Sequence, residues 1–276
     1  MANFSGIWPL HISTKCTPAD AACGFRLILW NSVPITGVSM PNNISDTFTF
    51  PPPTSEQKIR EYDLWATHYY AYHAKATKTG IPLLDKDGNE LGPKVSKKDW
   101  CKAAVEATII VEDGTGAKTV YNYAAKPQTI QVDCSRYTPR FPEGRIRYQL
   151  ARGPFGDGVD HDGDGIRMVL VPFRTMAVAP AASGIPYRTL IYVPDARGLP
   201  FTLPSGESKT HDGYFFAGDT GTAMDGRHVD IFGGDSPANP FPNFIKNQPE
   251  GGFQAYSIQN SSIAEELASL HDNLNG

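Results

Sequence analysis

Between residues 166 and 234 the chain holds five short apolar runs, RMVLVPF, RTMAVAP, GIPYRTLIYVP, YFFAG and HVDIF, each broken or followed by proline or glycine. Proline cannot donate into the middle of a β-ladder, so the runs read as separate short strands and not as one or two long ones. That pattern restricts the chain to a mainly β fold. The 26 glycines, 23 prolines and 11% aromatic content point the same way, to many turns and few helices. With 276 residues and 40% hydrophobic content, there is enough apolar surface for one sizeable core.

Within this region His211 to Gly234 reads HDGYFFAGDTGTAMDGRHVDIFGG and carries four acids, Asp212, Asp219, Asp225 and Asp230. Asp219 follows an apolar run and opens a DTG turn. Asp230 stands between valine and isoleucine in a strand-like segment, where an acid is costly unless it is paired or used. Asp230 is therefore the first candidate for chemistry, and Asp219 is its neighbour.

The rest of the chain divides at a proline-rich linker. Residues 1–58 read as a β-rich extension ending in PPPTSEQK, and residues 59–276 as the main domain. LWATHYYAYHA is read as a strand with Trp65, Thr67 and Tyr69 on one face, helix being the alternative. Ser96 and Asp99 mark the start of a short helix running into the strand ATIIV. DGTGAKTVYNY then reads as a hairpin, and TIQVDC closes a hairpin-rich lobe over 60–138. Residues 139–167 read as loop. They contain Asp160, Asp162 and Asp164 at the spacing of a calcium loop, but Val171 stands where that loop needs a glutamate. A solvated acidic loop and a weak structural calcium site remain the two readings. After the 166–234 region, residues 235–276 read as a proline-broken loop and a tail helix. Ser262 and Glu265 suggest its capping box, and Ile263, Leu267, Leu270 and Leu274 its apolar stripe.

A net charge of −4 gives no polybasic footprint, so nucleic acid is not an expected partner. No apolar run approaches the roughly 20 residues that span a bilayer, so no transmembrane segment is expected. The first 15 residues show neither a basic start nor a long apolar stretch, so no ordinary secretory signal is visible. The four cysteines favour an oxidising compartment all the same. Local loops suggest Cys16 with Cys23 and Cys101 with Cys134, buried free thiols being the alternative. His68, His211 and His228 have no metal-ligand spacing, and no cofactor is expected.

GIPYRTLIYVPDARG followed by GYFFAGDTGTAMDGRHVDIFGG resembles the three-aspartate (3D) domain, as found in membrane-bound lytic transglycosylase A. ATHYY, DWC, VEATI, YNYA and VDC also look like the lobe that precedes it in that family. The resemblance implies a six-stranded double-psi β-barrel with a hairpin-rich lobe and a short C-terminal helix. It places the catalytic acid on Asp230 and the second motif aspartate on Asp219. The family carries a further aspartate where this chain has Ala179, a lysine where it has Asp225, and a glycine where it has Ala107.

The activity so implied is cleavage of the peptidoglycan glycan strand between N-acetylmuramic acid and N-acetylglucosamine without water, giving 1,6-anhydro products. A hydrolase needs two carboxyl groups, whereas this reaction needs one principal acid protonated near neutral pH. Asp230 has apolar neighbours to desolvate it and Asp219 to disfavour a second charge. Thr67, Tyr69, Glu106, Thr220 and Asp212 are the candidate substrate-binding groups. For Tyr69 the competing reading is core packing, for Asp219 a turn cap, and for Asp212 the start of a turn. The alternative for the whole protein is a noncatalytic glycan-binding barrel, which Ala179 favours. Localisation is expected to be periplasmic or extracellular. One delivery route is as an antibacterial effector carried by a secretion machine and neutralised by an immunity protein.

Overall fold

The computed structural model describes residues 48–163, 165–221 and 224–272. Six strands close a barrel in the order Lys58–Tyr69, His228–Phe232, Thr175–Ala177, Tyr214–Asp219, Leu190–Tyr192 and Phe253–Ile258, the last pairing back onto the first. Lys58–Tyr69 with His228–Phe232, and Thr175–Ala177 with Tyr214–Asp219, are parallel pairs. The antiparallel pairing of Thr175–Ala177 with His228–Phe232 bridges them. This is the barrel the resemblance implied. Closure leaves no free sheet edge, which strands this short would otherwise expose.

Alternation along the strands fills the barrel. Leu64, Ala66, Met176, Ile191, Phe215, Ala217, Val229, Ile231, Phe253 and Ala255 all point into one buried cluster. The outer face of one wall is covered as well. Leu190, Tyr192, Tyr214, Phe216 and Ile258 lie under the helix Ser261–Asp272, which contributes Ile263 and Leu267. A strand covered on both faces reads as a continuous apolar run, which is why YFFAG shows no polar alternation.

This architecture differs from the sequence reading in several places, the first being that Lys58–Tyr69, read with the lobe over 60–138, is a barrel strand. Phe253–Ile258, in a stretch read as tail, is the sixth barrel strand. Its alternation is weak, because Gln254 faces solvent while Tyr256 and Ser257 are half-buried. The helix after it starts one cap earlier than Ser262 suggested. Asn260 Oδ1 accepts the Ile263 N–H at 3.3 Å and the Ser262 hydroxyl at 2.9 Å. Leu274, Cys16, Cys23 and the β-rich reading of residues 1–47 lie outside the described residues. The linker at 51–58 is tied down at its start: the Phe50 N–H donates to Asp212 and the Tyr214 hydroxyl to the Pro51 carbonyl.

The lobe is a four-stranded sheet, ordered Tyr72–Lys75, Thr108–Glu112, Lys118–Ala125 and Arg147–Leu150, with the helix Lys97–Glu106 packed on it. Arg147–Leu150 lies in the stretch read as loop. Ser96 caps the helix as expected, its hydroxyl accepting the Asp99 N–H at 3.1 Å. Trp100, Ile109, Val111 and Tyr148 form the lobe's own core. The Cys101–Cys134 disulfide, with Cα atoms 5.5 Å apart, fastens it. Closing a loop of that length stabilises the fold by about 4 kcal/mol in a chain-entropy estimate. Lobe and barrel share a small cluster of Ile110, Val120, Leu170 and Phe232.

Candidate active site

The parallel pair sets the site's register. Trp65 lies opposite His228, Thr67 opposite Asp230, and Tyr69 opposite Phe232. Ala66, Val229 and Ile231 point into the barrel, so these six side chains stand on its outer face. The Tyr69–Phe232 rung, with ring centroids 5.0 Å apart, is packed beneath the lobe. The next rung, Thr67 and Asp230, falls where the barrel wall emerges from that contact. Beyond it, Trp65 and His228 stack with centroids 3.8 Å apart and planes 3° from parallel. Asp230 thus sits on the outer wall of the barrel beside the lobe, near enough to Glu106 of the lobe's helix to feel its charge.

Asp219 reaches the same face by a slip in register. Thr175 pairs with Phe216 and Met176 with Ala217, but Ala177 pairs with Asp219. Strict alternation after Phe215 and Ala217 would send Asp219 into the core. The extra residue, Gly218, turns it outward beside Ala177. Ala177 is in turn the partner of Asp230 on its other side, so one alanine separates the two acids across the sheet. The bulge is tightly packed: a Cβ on Gly218 would come within 2.9 Å of His271, and one on Gly158 within 2.2 Å of the Gly218 carbonyl oxygen.

Burial is the main influence on three carboxyl groups. It raises Asp230 to about 7, helped by the charges of Glu106 and Asp219 and opposed by a hydrogen bond from Thr67. Asp230 Oδ1 is buried and receives no hydrogen bond from the described residues. Burial also raises Asp219, to about 6, against a 2.7 Å hydrogen bond from the Tyr69 hydroxyl and one from the Thr220 N–H. Glu106, at the end of the lobe's helix, is pushed to about 7 by burial, although the Tyr70 N–H donates to it at 3.3 Å. The next residue, Ala107, holds φ at 65°, in the left-handed region that favours glycine.

The structure brings five of the sequence candidates together: Asp230, Asp219, Thr67, Tyr69 and Glu106. Thr220 joins them through its backbone. The expectation for Asp212 is corrected. Its carboxylate is buried in a bidentate pair with Arg174, at 2.6 and 2.8 Å, and is held below the usual range by that partner against the effect of burial. The adjoining strand needs this pair to satisfy its backbone, since Asp212 also accepts the Tyr214 N–H and Arg174 donates to the Tyr214 carbonyl. Asp225 is engaged in a turn, accepting the backbone N–H groups of Arg227 and His228. In the acidic loop Asp160 accepts from the Gly163 and Gly165 N–H groups, and Asp162 pairs with His161. Asp164 is not among the described residues. Among those described, no group of three or more His, Cys, Asp or Glu could hold a metal ion. Sequence reasoning passed over His228 as a site residue. Counting by twos from Asp230 along HVDIF would have placed it on the same face.

Fold and site together define a mainly β protein, a closed barrel with a second lobe, and a cluster of raised carboxyl groups on the barrel's outer face beside that lobe. No family model matches the chain, and no curated protein matches it. Solved structures similar to it are lytic transglycosylases. E. coli MltA with bound chitohexaose is 14% identical, with 72% of each chain covered and a TM-score of 0.47. A membrane-bound lytic murein transglycosylase from Agrobacterium tumefaciens is 16% identical, covering 76% of this chain and 77% of its own, with a TM-score of 0.43. LtgG of Burkholderia pseudomallei is 16% identical, with 70% of each chain covered and a TM-score of 0.35.

Proposed function

We propose that the chain is a peptidoglycan lytic transglycosylase with Asp230 as its acid and base. The observation that carries this reading is the state of Asp230. It is a carboxyl raised to about 7, with one buried oxygen that no described group donates to, on the barrel wall beside a second lobe. Such a group still holds a proton near neutral pH, and the residue is only partly buried, which leaves it a side from which a substrate can approach.

In the first step the Asp230 carboxyl gives its proton to the oxygen of the MurNAc–GlcNAc glycosidic bond as the bond from C1 breaks. In the second, the C6 hydroxyl of the same muramic acid bonds to C1 and its proton returns to the Asp230 carboxylate. The ring closes as a 1,6-anhydro sugar, no water is consumed, and Asp230 ends protonated as it began. Asp219 and Glu106 oppose the ionisation of Asp230 through their charges, and Thr67 moderates that effect. Tyr69 holds Asp219.

A noncatalytic glycan-binding barrel is the second reading, and Ala179 favours it. This residue begins the short helix Pro180–Ser183 two positions past Ala177, and has no carboxyl to offer. Incubation with purified sacculi and mass spectrometry separates the two. The expected result is anhydromuropeptides from the wild type and none from Asp230→Asn, with sacculus binding retained in both. Binding without anhydro products at high dose would establish the second reading instead.

We place the protein outside the cytoplasm, where the Cys101–Cys134 disulfide persists. Delivery as an antibacterial effector with an immunity partner extends that placement. Expression directed to the periplasm of a test bacterium should then lyse cells while cytoplasmic expression does not. Harmless expression in both compartments would remove the effector role.

A further inference from the structure

We propose that His228 is a positioning residue for this site: its Nε2 donates to Thr67 Oγ1 and so turns the Thr67 hydroxyl proton toward Asp230. The inference rests on the reading of Asp230 as the acid, and it deepens that reading.

Three observations support it. His228 Nε2 and Thr67 Oγ1 are 2.8 Å apart. Thr67 is the cross-strand partner of Asp230 in the parallel pair, which sets its hydroxyl beside the carboxyl, where it draws the Asp230 pKa down against burial. The His228 ring is clamped by its stack on Trp65, so it cannot swing away from the threonine. The direction of the chain of hydrogen bonds follows from proton counting. A hydroxyl has one proton, and an ionised carboxylate can only accept. When Asp230 is ionised, the Thr67 proton must point to it. Thr67 Oγ1 then meets His228 Nε2 with a lone pair, and Nε2 must carry a proton. A histidine in the other neutral tautomer would draw the threonine proton to itself and leave the carboxylate without that bond.

The arrangement matters between the two chemical steps. Asp230 must exist as a carboxylate after it has protonated the leaving oxygen, while Asp219 and Glu106 disfavour that charge. A polarised hydroxyl aimed at Asp230 supports it at that moment. Several other groups surround the chain and bear on its titration. Asp219 comes from the strand Tyr214–Asp219, one strand removed across Thr175–Ala177, with Arg167 and Asp157 acting on it. Glu106 and Lys102 come from the lobe's helix. Asp225 binds the His228 backbone, and the Arg227–Asp63 pair lies one residue away. None of these provides the short side-chain link that Thr67 makes with His228.

The test is the titration of Asp230 itself, followed by carbon NMR of labelled aspartate carboxyls in the intact protein and assigned with Asp230→Asn. Loss of the histidine donor in His228→Phe, which keeps a ring to stack on Trp65, should move the Asp230 midpoint upward. His228→Gln, whose side-chain N–H reaches a similar point, should restore it. Thr67→Val should shift it in the same direction, and adding His228→Phe to Thr67→Val should add nothing. An unchanged midpoint in His228→Phe, no rescue by glutamine, or additive shifts in the double variant would overturn the proposal. Because this readout needs no turnover, it is separate from the fate of the catalytic reading. If anhydro products form, the alkaline limb of kcat/KM should follow the same order across the variants, whereas a change in KM alone would mark a packing role.

Discussion

At the scale of single residues, the acids of the central motif divide by what surrounds them. Asp212 faces an arginine and is held ionised, whereas Asp230 and Asp219 face apolar walls and other carboxyls and are held near neutrality. The two fates have different mutational consequences. Asp212→Ala takes the bidentate carboxylate away from the buried Arg174 guanidinium, and should cost about 3–5 kcal/mol of stability. Denaturant titration would show it. A variant as stable as wild type would mean that the ion pair is not what holds the strand Tyr214–Asp219 in place. From the sequence, Asp230 stood out because an acid in HVDIF lacks a bland explanation. Asp212 did not declare itself, because its partner Arg174 lies 38 positions away and nothing local pairs them.

At the scale of elements, alternation was legible in most strands with one wet face, but it missed Arg147–Leu150, which was read as loop, and it failed at two other kinds of place. It failed for Phe253–Ile258, which is only half alternating. It also failed at Gly218, because a bulge breaks the period of two and so changes the face that Asp219 occupies. A glycine inside YFFAGD was the signal available for it. Hairpins and the Ser96 cap were read well, because their chemistry is local. The C-terminal end of the lobe's helix carries a testable strain. Ala107 adopts the left-handed conformation and its N–H closes the last turn on Ala103. Ala107→Gly should relieve that strain and raise stability by about 1 kcal/mol. Thermal melting is the measurement, and a lowered Tm would show that the alanine's packing outweighs its strain.

At the scale of the whole molecule, the carboxyl cluster makes the fold sensitive to pH. Asp230, Asp219 and Glu106 titrate near 7, 6 and 7 when folded, against ordinary values of 3.8, 3.8 and 4.5. Between about pH 4 and 7 the folded chain therefore keeps protons that the unfolded chain has released. Their contribution falls as pH rises through that window and is flat beyond it. Asp212 and Asp272 are depressed by arginine partners, so their contribution is lost on the acid side instead. Melting at pH 5 and pH 8 should show the alkaline loss. Asp230→Asn should recover on the order of 1–3 kcal/mol of it at pH 8. Equal Tm values for variant and wild type at pH 8 would contradict the burial of Asp230.

The pairing of Lys58–Tyr69 with His228–Phe232 also bears on the order of events in synthesis. Thr67 and Asp230 are neighbours in the sheet but lie 163 positions apart in the chain, and the barrel closes only when Phe253–Ile258 is added. A chain emerging from its N-terminal end can assemble the lobe early from nearby strands. It cannot complete the site's barrel until synthesis has passed Ile258. Whatever the site acts on is therefore safe from a nascent or C-terminally clipped chain, a built-in delay that requires no inhibitor.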